Sequence, residues 1–292
     1  MSGARVAVIG GSGFYQMLEL SDIDEVRVNT PFGPTSDPIM LGTLEGVRVA
    51  FITRHGAGHR MLPSEVPFQA NIWALKSLGV ERCFALSAVG SLREEIAPLD
   101  LVVPGQLIDH TRGRQSTFFG RGLVAHIAFD EPFCPQLSEL LLSSAKALNS
   151  NVHRGGAYVA VEGPAFSTIA ESQIYRSWGA SVIGMTAVPE AMLAREAEIC
   201  YATLALVTDY DTWSPDYAPV SGEMVIENLL HNIERARRIV GEAVRTLPSE
   251  RECGCGSALA SALITSAKLV PDDVKRELAP IIGRYMPAGA TE

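Results

Sequence analysis

The sequence predicts an α/β fold in a single domain, and three observations carry that prediction. Apolar runs of strand length alternate with helical segments along the chain. No Gly-, Ser- or Pro-rich linker divides the 292 residues, and no internal repeat is visible. Nearly every apolar run ends in a small or polar cluster (GGSG, TRHGAGH, SAVGS, EGPAFS, GMTAVPE, TDYD), the pattern of a pocket assembled from strand ends.

Taken in order, residues 5–9 (RVAVI) read as a first strand running into Gly10-Gly11-Ser12-Gly13. Residues 47–53 (VRVAFIT) form a second, ending at Arg54-His55-Gly56. Residues 64–78 read as a helix with Ser64 as N-cap and Gly79 just past its end. Strands are expected at 82–88 and, briefly, at 100–103 before Pro104. Residues 109–122, rich in Arg, Gly, Ser and Thr, read as a surface loop. An amphipathic helix over 135–148 precedes a strand at 157–161, a helix at 168–178 and a strand at 181–183. The helix at 189–199 has proline in its first turn. The uncharged run 199–207 suits a buried strand and stops at two acids, Asp209 and Asp211. If extended geometry persists there, both carboxylates face one space and Tyr210 points away; a solvated loop is the plain alternative. A long helix is expected over 221–247, a connector over 248–256, and two short helices at 257–267 and 272–285.

A net charge of −9 argues against nucleic acid or an anionic membrane as partner, since either calls for a basic face. No segment approaches the roughly 18 apolar residues of a membrane span, and MSGARVAVIGG has no apolar signal core. Five scattered cysteines (Cys83, Cys134, Cys200, Cys253, Cys255) suit a reducing compartment. The expectation is a soluble cytoplasmic protein.

The polar clusters suggest an oxyanion site without a metal. Gly10–Gly13 can present backbone N–H groups, but alone this is a weak signal and a plain strand-to-helix turn is the favoured reading. Arg54, directly after a buried strand, offers a bidentate fork. His55 and His59 are four apart, but Gly56 and Gly58 lie between them and the Glu of H-E-x-x-H is missing. Ser87 and Ser12 supply hydroxyls. Thr186 stands before a helix N-terminus, where the dipole favours an anion; a simple N-cap role is compatible. Phe166 can stack on a planar ring or be plain core. There is no G-x-S-x-G elbow. Cys253-Gly-Cys255 is too tightly spaced, and lacks a second pair, for a zinc ribbon.

Nine stretches then match a known family: VIGGSGFY (8–15), TPFGPTSD (30–37), RHGAGH (54–59), FQANIWALKSLG (68–79), SAVGSLREEI (87–96), EPFCP (131–135), VEGPAFSTIAES (161–172), WGASVIGMTAVPEAMLAREAEICYA (178–202) and TDYDTW (208–213). On these the chain resembles the trimeric purine nucleoside phosphorylases, within them the 5′-methylthioadenosine branch. The resemblance implies a central mixed, partly barrel-like sheet flanked by helices, with a phosphorylase domain at 1–248 and a helical extension at 249–292 packed on it. It implies that phosphate cleaves the N-glycosidic bond of 5′-methylthioadenosine, giving adenine and 5-methylthioribose 1-phosphate, with no metal or organic cofactor. A 5′-halogenated deoxyadenosine or methylthioinosine is the alternative substrate, and a non-catalytic purine-binding protein the alternative class. It implies a homotrimer, or a hexamer of two trimers.

Carried over residue by residue, the resemblance implies a phosphate site of Ser12, Arg54, His55, Ser87, the backbone of Ala88, and Thr186. Met185 lies against the ribose. Phe166 and Ser167 line the base, and Asp209 and Asp211 face its edge. His126 of a neighbouring subunit, Val220, Val225 and Ile226 surround the 5′ substituent. Two positions depart from the pattern: Gly222, where a larger apolar residue is common, and Gly184, where asparagine can occur. The tail with Cys253-Gly-Cys255 looks like the Cys-x-Cys extension of some microbial members; a disulfide and a reduced pair both stay open. Adenine presents N7 as acceptor and N6 as donor, whereas 6-oxopurines present two acceptors. A protonated Asp209 can donate to N7 and accept from N6, so a 6-aminopurine is expected.

Overall fold

A computed structural model describes residues 3–11, 20–213 and 220–287. The order begins β1 (Val6–Gly10), β2 (Ser21–Val26), β3 (Ile39–Leu44), β4 (Val47–Thr53), α1 (Phe68–Ser77), β5 (Arg82–Ser91), β6 (Leu101–Val103) and β7 (Gln106–His110). It continues with α2 (Pro135–Ala147), β8 (Val152–Arg154), β9 (Ala157–Val161), α3 (Ile169–Ser177), β10 (Ala180–Gly184), α4 (Ala187–Glu196) and β11 (Cys200–Asp209). The long α5 (Gly222–Arg245) and the short α6 (Asp272–Glu277) and α7 (Ala279–Ile282) complete it.

The described strands form one mixed sheet whose spine is β5. β5 pairs in parallel with β1 and with β11, and its last residues bond antiparallel to β10. The sheet therefore forks: one arm runs β10-β9-β7, the other β11-β6-β8. Two-residue links, Pro104-Gly105 between β6 and β7 and Gly155-Gly156 between β8 and β9, join the arms again. That return bends the sheet toward a partial barrel.

Strand alternation divides the core. Ala7 and Ile9 of β1 face a cluster with Ile72 and Leu75 of α1, Leu193 of α4 and Ile282 of α7. Val6 and Val8 face the opposite cluster, with Leu137 and Leu141 of α2 and Ile239, Val240 and Val244 of α5. Both faces of the sheet are covered, which is why β1 is buried throughout and reads as an unbroken apolar run.

Local signals set several boundaries. Thr168 and Glu171 form a reciprocal capping box at α3. Ser221 caps α5 by accepting from the Met224 amide at 3.3 Å. The expected helix start at Ser64 is displaced: α1 begins after Pro67, which disfavours helical backbone in the residue before it. The expected helix over 257–267 does not form as such. Short 3₁₀ turns at Gly254–Ser257 and Ala267–Leu269 flank the stretch instead, because Leu263 bridges to Ala125 and the Ile264 amide bonds the Val124 carbonyl at 2.9 Å. Tertiary pairing outweighs the helix propensity of SALASAL. The loop at 109–122 is on the surface, yet its middle is anchored: the Arg114 side chain is 4% exposed.

The tail docks through Glu198, a carboxylate 2% exposed. It accepts from the Leu259 amide at 3.0 Å and from the Tyr285 hydroxyl at 2.7 Å, and pairs with Arg284 at 2.6 Å.

Gly184, at the end of β10, is required by a close approach. A Cβ there would stand 1.9 Å from the Tyr158 hydroxyl and 2.6 Å from its Cζ, and Tyr158 is fully buried. Gly184→Ala is expected to cost about 1–3 kcal/mol, measured as a lower urea midpoint, with Tyr158→Ala relieving the strain in the double variant.

Candidate active site

The carboxyl ends of β1, β4, β5, β9, β10 and β11 surround a cavity of about 300 Å³. Arg54, His55, Ser87, Ala88, Phe166, Ser167, Met185, Thr186, Asp209, Asp211 and Val225 all line it. Val220, the exposed Ile226 and the exposed His126 are not among its lining residues in the single chain. Ser12 lies outside the described residues.

At one end sits Arg54, 1% exposed. Its Nε and Nη2 donate to the two oxygens of Glu190, each at 2.7 Å, and its Nη1 donates to the Leu86 carbonyl at 2.9 Å. Tyr201 also donates to Glu190, at 2.8 Å. Burial alone would lower the Arg54 value, but the charge and hydrogen bonds of Glu190 outweigh it and hold the guanidinium protonated. Of its five N–H groups, three serve these contacts, leaving two for a ligand.

His55 follows on a turn braced by Asp37, which accepts from Thr53 Oγ1 at 2.7 Å and from the Ala57 amide at 2.9 Å. Burial first, then the neighbouring Arg54 charge, push its value down to about 3, so the ring is neutral near pH 7. Its Nδ1 lies 2.9 Å from the Met61 carbonyl. A carbonyl only accepts, so Nδ1 carries the proton and Nε2 is left as an acceptor.

Ser87 Oγ lies 3.3 Å from Thr186 Oγ1 and 3.1 Å from the Tyr158 hydroxyl. Thr186 occupies the N-cap position of α4, but its side chain makes no capping bond. Its hydroxyl is turned instead toward the Ser87 cluster, and the regular turns of α4 begin only after Val188, whose backbone is extended (φ −111°, ψ 131°).

At the other end are the two acids. β11 is buried along its whole length, and a register shift between Val207 and Asp209 inserts Thr208 as a bulge against β5. The strand ends at Asp209, and Asp211 takes a left-handed φ of 51°. The acids thus reach one cavity through a bulge and a turn, not through the simple alternation expected from the sequence. Gly90 makes room for them: a Cβ there would meet Asp209 Oδ1 at 2.8 Å. Asn228 and Asn232 of α5 donate to the Thr208 and Val207 carbonyls at 2.7 and 3.2 Å, fixing the strand end.

Asp209 accepts from Thr208 Oγ1 at 2.7 Å and from the Asp211 amide at 2.8 Å. These bonds favour the carboxylate, but burial prevails and pushes it up to about 6. Thr208 Oγ1 also lies 3.2 Å from the Val89 carbonyl. Its single proton can turn to that carbonyl when Asp209 protonates. Asp211 is raised as well, chiefly by burial, and accepts a short bond from Ser172.

Sequence reasoning missed the residues that act from behind. Glu190 is an acid inside the apolar AVPEAMLA, which is itself a signal of a buried partner. Arg114 donates to the Met185 and Val188 carbonyls at 2.6 and 2.7 Å and pairs with Glu162, fixing the backbone on either side of Thr186. Nothing in its loop signals that role.

A branched mixed sheet whose strand ends gather a buried arginine, two hydroxyls and a pair of buried acids around one cleft defines an α/β protein with a polar cavity at its strand ends. The chain belongs to the Phosphorylase superfamily, whose sequence model matches residues 5–245. It is 56% identical over 287 residues to the S-methyl-5′-thioadenosine phosphorylase of Gloeobacter violaceus, covering 97% of this chain and 96% of the relative. It is similar to the crystal structure of a methylthioadenosine phosphorylase from an antarctic soil metagenomic library (TM-score 0.91, 48% identity, 96% of this chain and 99% of that one). It is also similar to a variant of the adenosine/methylthioadenosine phosphorylase of Schistosoma mansoni in complex with methylthioadenosine (TM-score 0.80, 33% identity, 96% and 98% covered).

Glu190→Ala, which strands the Arg54 charge in the core, is expected to lower unfolding free energy by about 3–5 kcal/mol, read by urea denaturation.

Proposed function

We propose that the protein cleaves 5′-methylthioadenosine with inorganic phosphate, releasing adenine and 5-methylthioribose 1-phosphate. The observation that carries this is the placing of two complementary groups in one cavity: a buried arginine fork with two N–H groups to spare, and a buried carboxyl that takes up a proton near pH 6. The named activities of the relatives support it.

Phosphate sits on Arg54 and the Ser87 and Thr186 hydroxyls. The unprotonated Nε2 of His55 accepts from a phosphate hydroxyl. A phosphate oxygen then forms a bond to C1′ as the C1′–N9 bond breaks, and the electron pair leaves with the purine. Asp209, protonated, donates to N7 and neutralises that charge, while its second oxygen accepts from N6. Asp211, held by Ser172, keeps its own amide donating to the Asp209 carboxyl. Phe166 and Met185 bracket base and ribose. Neither metal nor organic cofactor enters this reading. His126 of a neighbouring subunit, with Val220, Val225 and Ile226, encloses the 5′ group in a homotrimer or a hexamer of two trimers. The setting is cytoplasmic purine salvage, with residues 1–248 as the catalytic domain and 249–292 as an extension packed on it.

Adenine release from methylthioadenosine should depend strictly on phosphate; release without phosphate identifies a hydrolase, and no release a binder. A panel of 5′-substituted adenosines then ranks the 5′ group.

Since the protonated form of Asp209 is the active one, kcat/KM should fall about tenfold per pH unit above its value near 6. Asp209→Asn should remove that limb. It should also shift preference from 6-amino toward 6-oxopurine nucleosides by about tenfold to a hundredfold. An unchanged preference would sink the assignment.

A further inference from the structure

At the far end of β11 from Asp209, about 30 Å away along the strand, four cysteines from separate parts of the chain converge. Cys200 is the first residue of β11, and Cys134 immediately precedes α2, its amide bonded to the Tyr201 carbonyl at 2.7 Å. Cys253 and Cys255 come from the 3₁₀ turn that opens the tail. The four sulfurs all lie within 4.8 Å of one another, with Cys200 and Cys253 at 3.3 Å, and three of the four residues are buried. Cys83, also buried, stands outside the group.

From this geometry we propose that Cys134, Cys200, Cys253 and Cys255 form a tetrathiolate site for one zinc ion. Zinc–sulfur bonds of about 2.3 Å in a tetrahedron separate the sulfurs by about 3.8 Å, which these positions reach with small side-chain adjustments. Four soft thiolates and no oxygen or nitrogen donor select zinc over the harder divalent cations. Four mutually close sulfurs fit a common centre better than two independent bridges, each of which would need its own pair at about 2.05 Å. Binding is balanced by proton release: one Zn²⁺ and four thiols give a tetrathiolate of charge −2 and four protons. Arg195, whose charge acts on Cys255, offsets part of that charge. The second pair that the sequence does not place beside Cys253-Gly-Cys255 is supplied by the fold. The ion ties the start of the tail to α2 and β11 and plays no part in the reaction.

The test uses the full-length chain, reduced, stripped of metal and kept anaerobic, titrated with Co²⁺ and then Zn²⁺. The expected result is saturation at about one equivalent of Co²⁺, with the sulfur-to-cobalt charge-transfer and tetrahedral d–d bands of a tetrathiolate, then loss of both on adding Zn²⁺. Chain purified from zinc-containing medium should carry about one zinc by mass spectrometry. Cys255→Ser should abolish the tetrathiolate spectrum, and Cys83→Ser should leave it intact. Reduced wild-type chain that takes up neither ion overturns the proposal. So does peptide mapping that finds these four cysteines disulfide-linked in chain freshly isolated from a cytosolic host. Neither readout depends on turnover, so failure here leaves the phosphorylase reading standing, and the reverse.

Discussion

The buried pair of Arg54 and Glu190 is the constraint on which the site rests. Both side chains are 1% exposed, so each charge has given up its water. The bidentate contact, with Tyr201 on Glu190 and the Leu86 carbonyl on Arg54, returns hydrogen bonds to groups that would otherwise be stranded. The pair is close to neutral as a unit. Arg54 lines the cavity with its charge largely matched by Glu190 and with two of its five N–H groups not used in these contacts.

The same pair ties distant parts of the fold together. Arg54 follows β4 and Glu190 lies on α4, while Tyr201 is the second residue of β11, the strand that ends in Asp209. β5 runs between β1 and β11 and contributes Ser87, Ala88 and Gly90 along its length. Ser87, Ala88 and Gly90 of β5 and Asp209 of β11 thus stand on adjacent strands, while Arg54, Thr186 and Asp211 enter the cavity from the turns that follow β4, β10 and β11.

Much of this was readable in advance because it follows from local chemistry. Polar clusters at strand ends, an arginine after a buried strand and acids closing an apolar run need no tertiary knowledge. The edge strands β2, β7 and β8 did not stand out, since exposed or very short strands lack the apolar alternation that marks a strand. Tyr158, Ser172, Glu190 and Arg114 were missed because their roles arise from contacts across 39 to 136 positions of sequence. The cysteines teach the same lesson: spacing along the chain said nothing about Cys134 and Cys200 beside Cys253 and Cys255. The misread helix at 257–267 shows the converse, a strong local propensity overruled by two backbone bonds to Val124.

The contact between Gly184 and Tyr158 reaches beyond stability. Tyr158 belongs to β9 and Gly184 to β10, and the ring occupies the volume that any side chain at 184 would need. The tyrosine hydroxyl also touches Ser87 in the wall of the cavity. Positions 158 and 184 therefore share one space and are free to change only as a pair. A lineage that enlarges residue 184 must shrink or turn residue 158, and in doing so rewires the hydroxyl cluster at the anion end. Drift at two strand positions, one of them in the cavity wall, is thereby coupled to the arrangement of the hydroxyls around Ser87.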